Sequence, residues 1–245
     1  IEGQNLQHFA KGTSSAKPYA VSFYVKGNAS ATYVCELFDN SNSRHVCKTF
    51  SVTTDFTRVE LSFPADTTGT ISDNNSEGLR LQIFLHAGSN FTSGTLPATW
   101  ASKTNTNRAA GISSFFDSTD RTFFITGVQL EVGQNPTEFE HEPHERTEMK
   151  CYRYYYKSTT YPLSMANAHT TGYTFRQERT QQHSMPVKMR NSPTFTAVES
   201  AKSLSSGTVL LTGSTDFINI VPTAHSGDLP SAEYWYGGYT ADAEL

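Results

Sequence analysis

The chain has 245 residues, enough to bury the core of one large domain or of two modest ones. Its formal net charge of -4 leaves no basic surplus to neutralise phosphates, so we expect no nucleic-acid partner. No apolar run approaches the roughly 20 residues that cross a bilayer, so we expect no membrane insertion either.

The first half of the chain alternates apolar and polar residues with the period of a β-strand. In "YAVSFYVKG" (19–27), the side chains of Val21, Phe23 and Val25 fall on one face. Turn clusters rich in Asp, Asn, Ser and Gly separate this strand from further candidates at 31–40, 44–53, 57–64, 79–88 and 122–133. This spacing predicts an all-β fold, with an antiparallel two-sheet sandwich as its first domain.

Residues 89–120 interrupt the strand pattern and are predicted to form a long loop. Long loops on β-sandwiches often carry binding residues. Trp100 lies in this segment and is our first candidate for a ring that stacks on a sugar, and Tyr19 is the second. The alternative for both is burial under a loop or in the sandwich core.

Three cysteines are too few for a disulfide framework. Cys35 and Cys47 lie on neighbouring strand candidates joined by the turn "DNSNS" (39–43), so a cross-strand bridge is geometrically allowed. Free thiols are the preferred interpretation, because nothing else in the sequence indicates an oxidising compartment.

The segment "EFEHEPHERTEMK" (138–150) has the composition of a zinc site. A metalloprotease helix needs two histidines four residues apart, whereas His141 and His144 are three apart with Pro143 between them. A loop-borne His-x-x-His pair stays open as an alternative. We predict instead a short helix over 142–152, with acidic residues in its first turns and basic residues at its end.

A second β region follows this helix. Its strand candidates begin with "YRYYYKS" (152–158), continue at 171–178, 184–189, 194–198, 207–213 and 217–222, and end in "AEYWYGGYTADAEL" (232–245). We therefore divide the chain into a sandwich at 1–140, a linker helix at 141–152 and a small β module at 153–245. No nucleophile elbow, phosphate loop or Cys-x-x-Cys pair is found, so we expect no enzymatic activity.

Four strings taken in order resemble the C-terminal region of bacteriophage tail-fibre and related virion proteins. They are "FFITGVQLEVGQNPTEFE" (123–140), "CYRYYYKS" (151–158), "MPVKMRNSPTFT" (185–196) and "ADAEL" (241–245). The resemblance implies a jelly-roll module like those of carbohydrate-binding domains, a linker helix and a second small β-sandwich module at the fibre tip. The His/Glu-rich linker departs from the family pattern, and the tip module varies within the family.

The resemblance also implies a homotrimer in the virion tail, assembled in the host cytoplasm with other virion tail proteins. Its external partner would be a host cell-surface glycan or another receptor. No cofactor is implied, although jelly rolls of this kind often hold a structural calcium, for which Glu131 and Asp117 are candidate ligands by analogy.

The densest aromatic cluster lies near the C-terminus and supplies further ligand-binding candidates, namely Tyr234, Trp235 and Tyr236. In a strand, Tyr234 and Tyr236 face one side and Trp235 the other. One side would then pack in a trimer interface while the other meets a ligand. The main alternative to a tail fibre is a carbohydrate-binding module from a secreted polysaccharide-degrading enzyme; a third hypothesis is a glycan hydrolase.

Overall fold

The structure, a computed structural model of the chain, describes residues 1–158, 163–167, 181–203, 209–222 and 233–244. It divides the chain into two compact units, Ile1–His141 and Glu142–Leu245. Both units are built from antiparallel β-sheets, so the predicted all-β sandwich class is confirmed.

The first unit contains seven strands and one short α-helix. In chain order these are β1 (Tyr19–Gly27), β2 (Ala31–Asp39), β3 (Arg44–Val52), β4 (Thr57–Phe63), β5 (Arg80–Phe84), α1 (Ser89–Thr92), β6 (Ala101–Ser102) and β7 (Phe123–Val132). The strands form two sheets, with the orders β4-β1-β7 and β5-β2-β3-β6.

The core of this unit consists of the inward-facing side chains of both sheets. On β1, Val21, Phe23 and Val25 are fully buried, as the alternating pattern predicts. Residues of β2 and β3 meet them from the opposite sheet, for example where the ring of Phe50 lies edge-on to Phe23 at 5.1 Å. Large apolar side chains thus fill the space between the sheets.

The long segment after β5 covers the outer face of the β5-β2-β3-β6 sheet. The backbone N–H of Cys47 donates to the carbonyl of Pro97 at 3.0 Å, and that of Ser113 donates to Thr32 at 2.7 Å. Arg108 of this segment packs on the outer face, with its guanidinium 5.1 Å from the ring centre of Phe38 and 5.3 Å from that of Phe84. Every β2 residue from Tyr33 to Asp39 is buried, on both faces of the sheet. The segment predicted as a long binding loop is therefore a cover for the sheet.

The described residues of the second unit form one helix and seven strands. These are α2 (His144–Tyr152), β8 (Tyr155–Lys157), β9 (Leu163–Asn167), β10 (Gln181–Ser184), β11 (Thr194–Ser203), β12 (Val209–Gly213), β13 (Phe217–Pro222) and β14 (Glu233–Asp242). One sheet has the order β10-β13-β12, and the other has the order β11-β14-β8 with β9 also paired to β14.

The chain leaves the predicted strand pattern after β10. The predicted strand at 184–189 is wrong, because β10 ends at Ser184 and the chain then bends. Pro186 cannot donate to a ladder, and Met185 and Met189 instead bury their side chains while their N–H groups donate to Asp216 and Thr215. The strand predicted at 171–178 lies outside the described residues.

Candidate functional site

An aromatic groove lies on the outer face of the β4-β1-β7 sheet. Because Val21, Phe23 and Val25 point into the core, Tyr24 projects from the opposite face of β1. It lies beside Arg58 of β4 and Thr126 of β7 in the two registers. The groove has a volume of about 400 Å³ and is lined by Tyr24, Phe56, Thr126, Gly127, Glu138, Phe139 and His141.

A β-bulge shapes the floor of the groove. The pairing of β1 with β7 shifts between Ser22 and Tyr24, and Gly127 lies at the shift with a φ of +60°. A side chain here would be strained by that φ, and its Cβ would lie 3.1 Å from Tyr24 Cδ2 and 3.6 Å from Phe139 Cδ2. Glycine therefore lets the rings of Tyr24 and Phe139 lie close to the backbone of β7.

Hydrogen bonds hold the segment that carries Phe139 against β7. Glu131 accepts from the backbone N–H of Thr137 at 2.6 Å and from its hydroxyl at 2.7 Å. Although desolvation would raise the pKa of Glu131, these hydrogen bonds hold it below its ordinary value. The N–H of Glu140 donates to Gln129 Oε1 at 2.8 Å, so Phe139 is fixed from both sides.

The rim of the groove is polar and charged. Arg58 lies 2.9 Å from Glu60 and 3.5 Å from Glu138, and it also donates to the carbonyl of Thr137. Phe56 is 53% exposed, with Lys26 Nζ 5.8 Å from the centre of its ring. Exposed ring faces beside hydroxyl, carboxylate and imidazole groups suit a ligand with both apolar and polar faces.

The first two predicted ligand residues lie in the core and not in this groove. Trp100 is 8% exposed, its indole Nε1 donates to the carbonyl of Pro64 at 2.8 Å, and its ring is 5.6 Å from that of Tyr19. Tyr19 is fully buried and stacked on Phe9 at 4.3 Å, and its burial raises the pKa of its hydroxyl. Their burial supports the alternative that the sequence left open, because neither ring has a face free for a sugar.

The aromatic cluster near the C-terminus lies on β14. The backbones of Tyr234, Trp235 and Tyr236 pair with β9 and β11, with Trp235 opposite Met165 and Lys202. Their side chains are outside the part of the chain that the structure describes, so their role as ligand residues stays a prediction. Tyr239, on the same strand, is buried with its hydroxyl 3.6 Å from Met185 Sδ.

The two candidate calcium ligands are each bound by a neighbouring side chain. Glu131 accepts from Thr137, as described above, and Asp117 accepts from Arg121 Nε at 2.9 Å and Nη2 at 2.5 Å. The hydrogen bonds from Arg121 lower the pKa of Asp117. Each carboxylate thus accepts hydrogen bonds from a residue close to it in the chain.

A second group of metal-ligand side chains lies under the covering segment. The donor atoms of Glu36, His45 and Cys47 lie within 4.8 Å of one another, and all three residues are buried. His45 Nδ1 is 2.8 Å from Glu36 Oε1, and Cys47 Sγ is 3.8 Å from both atoms. The guanidinium of Arg108 also binds Glu36, with Nη2 2.6 Å from Oε2.

This group is better suited to structure than to metal binding or catalysis. Arg108 already neutralises Glu36, so a metal cation would have to displace a guanidinium from a buried carboxylate. Burial raises the pKa of the Cys47 thiol, and the adjacent Glu36 carboxylate adds to that effect. The thiol therefore stays protonated, whereas a metal ligand or a nucleophile must be a thiolate.

Among the described residues, the group of three or more possible metal ligands is that of Glu36, His45 and Cys47, and it includes no residue of the His/Glu-rich segment. His141 lines the aromatic groove and lies 4.9 Å from Phe139, while His144 begins α2. The sequence missed the groove because its residues are scattered. Gly127 inside a strand was a usable signal, since it often marks a bulge.

No helix in the described ranges is long and apolar enough to span a membrane. Comparisons of the chain with protein-family models, curated proteins and solved structures found no match.

Proposed function

We propose that this chain is a non-enzymatic attachment protein of a phage tail fibre that binds a host cell-surface glycan in the aromatic groove. The observation that carries this proposal is the placement of Tyr24, Phe56 and Phe139 around the bare backbone of Gly127. Sugars bind through CH faces that stack on aromatic rings and through hydroxyls that bind polar groups. The groove offers both.

The groove also has a suitable size and charge for a saccharide. A volume of about 400 Å³ lies within the usual range for small-ligand sites and accommodates about one or two sugar rings. Arg58 lies between Glu60 and Glu138, so charges of both signs are present at the rim. Such a rim favours recognition of hydroxyls over recognition of a strongly charged group.

The virion assignment rests on the ordered strings that resemble tail-fibre proteins. On this proposal the chain is a homotrimer in the virion tail, in contact with other tail proteins and, outside the cell, with the host surface. Light scattering at micromolar concentration should then give the mass of three chains. A monomer at that concentration would contradict the tail-fibre assignment.

The alternative, a carbohydrate-binding module of a secreted polysaccharide-degrading enzyme, draws on the same groove. It predicts a monomer that binds soluble glycans. The two proposals therefore share the groove and differ in oligomeric state. Incubation with host surface polysaccharide tests the non-enzymatic part, because release of new reducing ends would show hydrolysis.

A glycan array followed by titration of the best ligand tests the groove. Phe56→Ala should weaken binding roughly tenfold, about 1.4 kcal/mol, because an exposed stacking ring is lost with little change in the fold. Gly127→Ala should weaken binding further by moving Tyr24 or Phe139. Phe116→Ala is the matched control, since Phe116 is 74% exposed and lies outside the groove. Equal binding by all of these variants would exclude the groove.

A further inference from the structure

Lys11 is a buried lysine whose ammonium lies in a cage of oxygen atoms. Its side chain is 1% exposed. The Nζ atom lies 2.6 Å from Asp39 Oδ2, 3.1 Å from Asp66 Oδ2, 3.0 Å from the Thr68 carbonyl and 2.8 Å from the Gly69 carbonyl. An ammonium has three protons, so four oxygens at these distances surround it as ligands surround an ion.

The cage is held in place by groups other than Lys11. Asp39 accepts from the backbone N–H of Asn42 at 3.0 Å and from its side-chain amide at 2.8 Å. Arg44 binds both oxygens of Asp66, at 2.8 and 2.9 Å. Desolvation would raise the pKa of Asp66, but the hydrogen bonds from Arg44, Thr68 and Lys11 hold it below its ordinary value.

A left-handed turn presents the two carbonyl oxygens. Gly69 has a φ of +76°, and a Cβ there would lie 2.6 Å from the side chain of Asn42. The turn is thus closed by the same asparagine that holds Asp39, and Asn42 also donates to the Thr70 carbonyl at 2.9 Å. Two stretches of the first unit, residues 39–44 and 66–70, therefore fix these oxygens through hydrogen bonds that do not involve Lys11.

The donor set and the charge balance are those of a cation site. Carboxylate and carbonyl oxygens are the ligands of hard cations such as calcium. The charges of Lys11 and Arg44 cancel those of Asp39 and Asp66, so removal of the ammonium would leave uncompensated negative charge in a buried cage. Trp100 borders the site, with its ring centre 5.2 Å from Nζ.

We propose that this cage is a cation site filled by the chain's own Lys11, which joins the N-terminal segment to the sandwich in place of a bound ion. The native protein should therefore be indifferent to chelators and to added calcium. Truncation of Lys11 should open the cage to a hard, oxygen-binding cation from solution.

Thermal unfolding of the intact chain tests the proposal at constant ionic strength. Lys11→Ala should melt about 5 °C or more below the native chain in choline chloride, whose cation is too large for the cage. Added potassium or calcium should recover at least half of the lost melting temperature, and the recovery should saturate with salt concentration. Whichever of the two salts has this effect identifies the charge of the preferred ion. The native chain should show no shift with either salt or with EDTA.

Two matched variants control for simple loss of packing. Lys11→Met fills the space without a charge and blocks an incoming ion, so added cations should not restore it. Lys11→Ala combined with Asp39→Asn removes one negative charge, so its response to cations should be much smaller. If Lys11→Ala is insoluble in choline, refolding from urea with potassium or calcium should recover soluble protein. The proposal would be overturned if neither potassium nor calcium recovered soluble protein. It would also be overturned if Lys11→Ala melted at the same temperature in all the salts.

Discussion

Arg108 binds both carboxylate oxygens of Glu36, although the two residues are 72 positions apart in the chain. Nε lies 2.8 Å from Oε1 and Nη2 lies 2.6 Å from Oε2. Arg108 belongs to the segment that covers the β5-β2-β3-β6 sheet, and Glu36 is fully buried on β2. The guanidinium also lies 5.1 Å from the ring centre of Phe38. Arg108 therefore holds the covering segment on the sheet through an ion pair with Glu36 and a cation–π contact with Phe38.

Arg108→Met should therefore destabilise the first unit by about 3–5 kcal/mol, because it leaves the Glu36 carboxylate buried without its cation. Urea denaturation monitored by Trp fluorescence measures the change. Adding Glu36→Gln should recover part of the loss, since no buried charge then remains unpaired. Arg80→Met is the control: this arginine pairs with Glu77 at a more exposed position and should cost less than about 1 kcal/mol.

The same pair should make the protein sensitive to acid. Desolvation alone would raise the pKa of Glu36, but hydrogen bonds from His45 and Arg108 lower it below the ordinary value. A carboxyl whose folded-state pKa is depressed adds stability above its unfolded pKa, about 4.3 for Glu, and loses it as pH falls through the folded pKa. The free energy of unfolding should decrease as the pH drops below about 4, and this decrease should be smaller in Glu36→Gln. An unchanged slope in the variant would contradict this assignment.

Trp100→Ala should reduce stability by roughly 3–5 kcal/mol and leave glycan affinity per folded molecule unchanged. The side chain is in the core and its Nε1–H donates to Pro64, so truncation creates a cavity and an unpaired carbonyl. Binding and denaturation are measured on the same preparation. If Trp100→Ala were as stable as the native chain but no longer bound the glycan, Trp100 would belong to the ligand site.

One of the three thiols should react rapidly in the native protein. Cys151 is exposed, whereas Cys35 and Cys47 are buried, and burial raises the pKa of Cys35 to about 12. Mass spectrometry after brief maleimide treatment should show a single adduct on Cys151, and three adducts in urea. Rapid labelling of Cys47 without urea would show that the covering segment opens readily.

The strands of the first unit could be predicted from the sequence because period-two alternation survives wherever one face of a strand meets the core. The predicted strand at 57–64 corresponds to Thr57–Phe63, with Val59, Leu61 and Phe63 buried as expected. The free state of Cys35 and Cys47 also agrees with the preferred interpretation.

The sites were harder to predict, because they depend on which distant segments meet. Trp100 looks like a loop residue in the sequence, yet the strand β6 that follows it pairs with β3 and carries the ring into the core. Tyr24 is one tyrosine among twelve, and only the bulge at Gly127 and the return of Phe139 make a groove around it. Lys11 gave no signal, since its partners lie 28 or more positions away.

The cover over the β5-β2-β3-β6 sheet should leave a signature in a scan of all single substitutions. Along β4, buried and accessible positions alternate, so tolerance of mutation should rise and fall with a period of two residues. Along β2, the run from Tyr33 to Asp39 is buried on both faces, and intolerance should be continuous there. Sequence drift in this protein would then concentrate on the open sheet, where the proposed groove could change its ligand while the covered sheet preserves the fold.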